Sequence, residues 1–342
     1  MKKRVLVYRL SSMGDVAMLA SVMQETVEQN QNYEFIVLSH HFYQAFFEGI
    51  ENVRFHGFHP KTKHKGFMGL IGLYRELKQY KADYIADMHG NIRTTILKCF
   101  SSLEGRSFLS AKIDKGRKDK KEIIRKKILK PLTPTVERYA NVFRSLGLSI
   151  QLSHELRAYT REAPTEYREK IFRNKYNIGI SPFAQWPYKM WSLSKMKEAI
   201  HHLAADKSLG IFLFGGGENE KKIASQLKGE HENVINVIGT LSLKEELDLI
   251  SNLDLMVSMD SSGMHMASLE GVRCLCLWGS THPYLGFLGY GQALEDCIQV
   301  PHPNRPCSVY GDKSCDCDGI EAIDLIKVEE VTKRINSALH EI

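Results

Sequence analysis

Apolar residues along the chain fall into short runs that alternate with amphipathic stretches of helical spacing. "RVLVY" (4–8) reads as a buried strand, and from Gly14 onward Val16, Leu19, Ala20, Val22, Met23 and Val27 recur with the period of a helix. The pattern repeats: "YEFIVL" (33–38) predicts a strand, 66–80 a helix, and "ADYIADMHGN" (82–91) a strand that empties into a polar loop before the helix "IRTTILKCF". Polar "LSHELRAYTREAPTE" (152–166) has no apolar periodicity and reads as a linker. The alternation restarts with "YNIGISP" (176–182), a helix over 194–206, "LGIFLFGGGENE" (209–220), a helix over 243–252, "LDLMVSMDSSG" (253–263), another helix and the strand "VRCLCLWGST" (272–281).

Strands alternating with helices predict parallel sheets covered on both faces. The expected fold class is α/β, with two Rossmann-like doubly wound domains facing a cleft. The first spans 1–160 and the second 161–325; a helix within 326–342 is expected to pack back across the junction. In such sheets ligands sit beyond the carboxyl ends of the strands, and here those ends carry polar and glycine residues.

Charge changes this picture. The chain has a formal net charge of +6, yet residues 1–170 hold 30 Lys and Arg against 18 Asp and Glu, while 171–342 hold 16 against 22. The excess therefore belongs to the first half and points to an anionic partner such as a phosphorylated lipid, a membrane surface or nucleic acid. Its densest stretch, 112–130, has ten basic and three acidic residues around Ile123, Ile124, Ile128 and Leu129. It contains no aromatic side chain to stack on bases, which argues against nucleic acid. No apolar run is long enough to span a bilayer and the amino terminus lacks a secretion signal, so a cytoplasmic chain with reduced cysteines is expected.

Four segments carry candidate chemistry. In "RLSSMGDVAML" (9–19), Asp15 falls in the first turn of a helix that follows a strand. It is either a capping acid, worth about 0.5–1 kcal/mol against the helix dipole, or a general base that takes a proton from an attacking hydroxyl. Arg9 on the same loop can hold a phosphate or steady that acid. In "SPFAQWPYKMWSL" (181–193), Lys189 can neutralise a diphosphate with Ser181 and Gln185 as hydrogen-bond donors, or simply lie over packed tryptophans. In "SMDSSGMHMASLEG" (258–271), Ser261, Ser262 and Gly263 open a helix whose amides suit an anion, Asp260 suits sugar hydroxyls, and His265 lies one turn on. In "FGGGENE" (214–220), Glu218 or Glu220 can accept ribose hydroxyls or act as a first-turn acid. Cys307, Cys315 and Cys317 near His302 lack the spacing of a structural zinc site.

Together "RLSSMGDV", "DMHGNIRTTIL", "PFAQWPYKMWSL", "VIGTLSLKEELDLISNLDLMVSMDSSGMHMASLEG" and "LWGSTHP" resemble glycosyltransferase family 9, the ADP-heptose:lipopolysaccharide heptosyltransferases, across nearly the whole chain and in the family's order. The resemblance implies a glycosyltransferase-B fold and transfer of a sugar, with inversion, from a nucleotide diphosphate to a lipopolysaccharide core acceptor at the cytoplasmic face of the inner membrane. It implies no metal and no other cofactor. By the same resemblance Asp15 matches the base and Lys189 the lysine on the donor phosphates, while Arg9 and Gln185 stand where Lys and Ser or Thr are usual. Leu241 falls in the adenine region, and Asp260, Ser261 and His265 match an Asp-Ser/Thr-Gly-x-x-His motif whose glycine is Ser262 here, with Gly263 one place later. Glu218, Ser262 and Gly263 complete the expected donor site, and Lys118, Lys120, Lys121 and Arg125 the expected contact with a phosphorylated glycolipid and an anionic membrane. The competing expectations are a nucleotide-sugar epimerase of the same fold and a nucleic-acid-binding protein.

Overall fold

The computed structural model describes residues 2–103, 108–159 and 161–342; Thr160, inside the expected linker, lies outside them. The chain forms two compact units, Met1–Lys115 with Thr135–Ser153, and Gly116–Pro134 with His154–Ile342. No helix among the described residues is long and apolar enough to cross a membrane.

Unit 1 runs β1 (Lys3–Tyr8), α1 (Met13–Gln29), β2 (Tyr33–His40), β3 (Val53–Phe58), α2 (Gly66–Lys78), β4 (Tyr84–Asp87), α3 (Ile92–Leu103) and β5 (Leu109–Lys112). The chain then forms α4 (Arg117–Lys126), which belongs to unit 2, and returns as α5 (Thr135–Ser145). The five strands pair in the order β3-β2-β1-β4-β5, all parallel. Val5, Leu6, Val7 and Tyr8 of the central strand are all buried, as a strand covered on both faces requires. Behind it α1 buries Val16 through Val27 almost all round, and α5 closes that layer with Phe143 edge-on to Phe35, ring centroids 6.0 Å apart. Because β1 ends at Tyr8, Arg9 and the first turn of α1 emerge at the carboxyl edge of this sheet.

Unit 2 adds α6 (Thr165–Arg173), β6 (Tyr176–Ser181), α7 (Leu193–Ala204), β7 (Leu209–Leu213), α8 (Gly217–Lys228), β8 (Val234–Asn236), α9 (Leu243–Ile250), β9 (Leu255–Met259), α10 (Ser262–Leu269), β10 (Cys274–Leu277), β11 (Cys297–Ile298), the hairpin β12 (Asp316–Cys317) with β13 (Ile320–Glu321), and α11 (Val328–His340). Its parallel sheet has the order β11-β10-β9-β6-β7-β8. Ile178, Ile211, Val257 and Leu275 from four adjacent strands meet Trp191, Ile200 and Leu203 in one core.

The last helix lies on α7, and Val328, Val331, Ile335, Ala338 and Leu339 complete the core of unit 2. Two expectations change. The basic segment, expected in the first domain, sends 116–134 into unit 2, where Ile123 and Lys120 are buried and Lys127 Nζ donates to the Pro306 carbonyl at 2.7 Å. Its helix stops at Lys126, with Lys127 left-handed at the cap, so Ile128 and Leu129 are exposed rather than part of an apolar face. Finally, Cys307 and Cys315 form a disulfide instead of staying reduced, because the loop carrying them brings their Cα atoms to 5.3 Å.

Candidate functional site

Each sheet gathers its polar residues at the carboxyl ends of its strands. In unit 1, Ser12 caps α1 and Asp15 sits three residues into the helix as the partner of a capping box: Ser12 Oγ donates to Asp15 Oδ2 at 2.7 Å. The same carboxylate oxygen pairs with the Arg9 guanidinium. Arg9 is buried, donates through Nη1 to the Met88 carbonyl at 2.8 Å, and lies 5.8 Å from the centre of the Tyr139 ring. Tyr139 in turn donates its hydroxyl to the Asp15 backbone carbonyl at 3.3 Å. Asp15 is therefore held from three sides, by Ser12, by Arg9 and, through its backbone, by α5.

The loop after β4 completes this edge. Asp87, fully buried, accepts from Thr94 Oγ1 at 3.0 Å, from Lys98 Nζ at 3.0 Å and from the amides of His89 and Gly90 at 3.2 and 2.7 Å. That fixes the turn carrying His89, whose titration is pushed down to about 4 by burial first and by the Arg9 and Lys115 charges next. Burial and the Asp15 charge also raise the Tyr43 phenol. Tyr139, His89 and Tyr43 were not singled out from sequence. Only His89 carried a local signal, as a polar residue just past a strand end.

In unit 2, Asp260 follows β9, is 4% exposed, and accepts from Thr281 Oγ1 at 2.7 Å and pairs with Lys189 Nζ at 2.8 Å, both through Oδ2. Lys189 arrives from a short 3-10 turn, Pro187–Lys189, after β6, while Thr281 comes from the loop after β10. Three strand ends thus converge on one carboxylate. The lysine stem needs room: a Cβ on Gly311 would stand 2.2 Å from Lys189 Cδ, and Gly311 has φ +83°. Gly263 is likewise dictated by packing, since a Cβ there would meet Ser181 Cβ at 2.6 Å. The displaced glycine of the motif therefore lets the first turn of α10 rest on β6, leaving Ser261 and Ser262 half-buried at the helix start. His265 is buried within α10.

Arg305 was missed by sequence reading. It is buried and donates to the carbonyls of Trp278, Gly279 and Thr281, at 3.0, 2.6 and 3.1 Å, which pins the loop that presents Thr281. Burial lowers its guanidinium to about 10. Of the other expected donor residues, Gln185 and Glu218 are exposed and Leu241 is half-buried; among the described residues none hydrogen-bonds to Lys189 or Asp260. Glu220, the alternative to Glu218, instead accepts from the Gly216 amide at 2.7 Å at the start of α8. Arg9, expected on the donor, is engaged by Asp15 in unit 1. On α4, Lys118, Lys121 and Arg125 are not buried, but the expectation of a membrane-facing cation fails for Lys120. Its ammonium lies 3.8 Å from the centre of the Phe287 ring, 3% of the residue exposed, because a cation–π contact satisfies it inside unit 2.

The family model of glycosyltransferase family 9 (heptosyltransferase) matches residues 71–315. The lipopolysaccharide core heptosyltransferase OpsX of Haemophilus influenzae is 24% identical over 289 residues, covering 82% of this chain and 80% of that one. Among solved structures, a glycosyl transferase family 9 protein of Veillonella parvula superposes with a TM-score of 0.75 at 18% identity over 99% of this chain and 98% of its own. The heptosyltransferase WaaC of E. coli with ADP gives 0.69 at 17% identity over 98% and 99%.

Proposed function

The chain belongs to glycosyltransferase family 9, the heptosyltransferases, with the two parallel-sheet domains of the glycosyltransferase-B fold, and on that premise we propose that it transfers heptose from ADP-heptose to a lipopolysaccharide core acceptor with Asp15 as general base. The observation that carries the mechanism is the Asp15 carboxylate held by Ser12 and the buried Arg9 at the carboxyl end of the central strand. An acceptor hydroxyl beside it loses its proton to the carboxylate as its oxygen bonds to the anomeric carbon. The bond from that carbon to the diphosphate breaks on the opposite side, so the configuration inverts and the nucleotide diphosphate leaves.

Negative charge grows on the leaving diphosphate. Lys189 supplies an ammonium and the first turn of α10 its amides, which together take the place of a metal ion in this reading. Asp260 orients the Lys189 ammonium and offers its carboxylate to sugar hydroxyls. The names of the similar proteins support the donor and the acceptor: one carries ADP, and another acts on the lipopolysaccharide core. A lipid-linked acceptor places the reaction at the cytoplasmic face of the inner membrane, with the chain bound there peripherally and no nucleic acid involved.

The test is Asp15→Asn. Transfer should fall about 10²–10⁴-fold while ADP binds as before. Retained transfer, or a parallel loss of ADP affinity, would reduce Asp15 to a helix cap.

A further inference from the structure

From the end of β3 into the first turn of α2, residues 59–68 read His-Pro-Lys-Thr-Lys-His-Lys-Gly-Phe-Met. One of these ten is buried. His64 stacks on Phe58, ring centroids 5.8 Å apart and 4° from parallel, meets Glu76 Oε1 through Nε2 at 3.2 Å, and accepts the His59 amide through Nδ1 at 3.0 Å. Around this anchor Lys61, Lys63 and Lys65 are exposed, and so are Phe67 (59%) and Met68 (75%). The exposure is built in. Gly69 lies against the His64 backbone, where a Cβ would stand 2.4 Å from the carbonyl carbon, and the Phe67 ring rests edge-on against Phe100 of α3 at 5.9 Å. The segment is fixed with its apolar tips outward.

Neighbouring connections repeat the pattern. Ile92, 77% exposed, and exposed Arg93 open α3 after β4. Since β2, β3, β1 and β4 are parallel neighbours, these first turns and the Arg9 and Asp15 loop line one and the same edge of the sheet. Residues 59–68 and 91–94 contain no acid; Glu76 offsets Lys63, at 3.0 Å. Large apolar side chains on separate connections, interleaved with lysines, do not make the continuous stripe that a protein groove receives. They suit a fluid apolar layer under an anionic surface.

We propose that this carboxyl edge of the unit 1 sheet docks on an anionic lipid bilayer, with Phe67, Met68 and Ile92 entering the boundary between headgroups and acyl chains and Lys61, Lys65 and Arg93 on lipid phosphates. The inference deepens the reading of a lipid-linked acceptor and rests on it: docking by this edge turns Asp15 toward the layer in which that acceptor is anchored.

The test is co-sedimentation of the full chain with phosphatidylcholine vesicles and with vesicles that also contain phosphatidylglycerol. The chain should bind the mixed vesicles, less so as salt rises. Phe67→Ser with Met68→Ser should weaken binding roughly tenfold or more, and Lys61→Gln with Lys65→Gln about fivefold per charge. Phe172→Ser, at a still more exposed aromatic on α6, should change nothing. Independently, Met68→Trp should be quenched by brominated acyl chains beyond the quenching of the native protein. Native-like vesicle binding by the Phe67 and Met68 variant, no added quenching at position 68, or full displacement by a soluble phosphorylated glycan would overturn the proposal. Transfer to an acceptor stripped of its acyl chains is measured alongside and should be unchanged in the Phe67 and Met68 variant. If the native protein binds vesicles but transfers nothing, the docking surface stands and the sugar-transfer reading alone fails.

Discussion

The pair of Lys189 and Asp260 makes a quantitative claim that four proteins can check: native, Lys189→Met, Asp260→Asn and the double variant. Both side chains are largely withdrawn from water, 15% and 6% exposed, and their atoms meet at 2.8 Å. Hydrogen bonds to charged groups contribute about 1.5–3 kcal/mol, so each single substitution should destabilise unit 2 by roughly that amount. Asp260→Asn keeps an acceptor for Thr281 and so isolates the charge. Once one partner is gone the second substitution removes little more, so the double variant should be less stable than native by far less than the sum, with a coupling of about 1.5–3 kcal/mol. The assay is urea unfolding followed by tryptophan fluorescence. Trp186, Trp191 and Trp278 all belong to unit 2, so the signal reports that unit alone. ADP affinity is the second readout: Lys189→Met should weaken it about tenfold to a hundredfold. Additive effects, with a coupling under about 0.5 kcal/mol, would refute the claim that the carboxylate and ammonium act as a unit.

Other outcomes follow from the same geometry. His89 titrates near 4 when folded against an ordinary value of 6.5, so protonation favours the unfolded chain; stability is full above pH 6.5, falls as pH drops toward 4, and His89→Gln should flatten that slope in denaturant titrations at a series of pH values. Gly311→Ala should cost more stability and more ADP affinity than Gly319→Ala, because both have strongly positive φ but only Gly311 faces Lys189, with open space around Gly319. Transfer should continue at an unchanged rate in excess EDTA, measured by release of the nucleotide diphosphate; loss of activity restored by Mg²⁺ would remove the role given to Lys189 and the α10 amides.

The architecture was legible because central parallel strands are apolar on both faces. β1, β9 and β10 announce themselves as short, mainly apolar runs, and the helices between the strands keep their spacing. Edge strands need no such composition, so β3, with Arg54 and His56, and β5, with exposed Leu109, passed unread. Charge misled for a related reason. A lysine-rich helix looks solvated from end to end, yet an ammonium over an aromatic face with its stem packed is satisfied inside, as Lys120 over Phe287 is. At the candidate site, Asp15, Lys189 and Asp260 can be named from sequence because residue type and position beyond a strand end single them out. The groups that hold them, Tyr139, Thr281 and Arg305, lie 124, 21 and 24 residues from the carbonyls or carboxylates they bind, and no local pattern encodes such pairings.

Asp15 shows how two readings that compete in a sequence can converge in a fold. As a capping acid it needs an oxygen within reach of Ser12, and as a base it needs a side chain that does not reorient when the acceptor arrives. The contacts with Ser12 and Arg9 meet the first need, and in meeting it they remove the rotamer freedom that would oppose the second. A carboxylate is a weak base toward an alcohol hydroxyl. That is tolerable for a proton that moves as the new carbon–oxygen bond forms, because the hydroxyl grows more acidic along that path. Stability and chemistry here draw on one set of contacts, so the capping box is part of what prepares the proposed base rather than an argument against it.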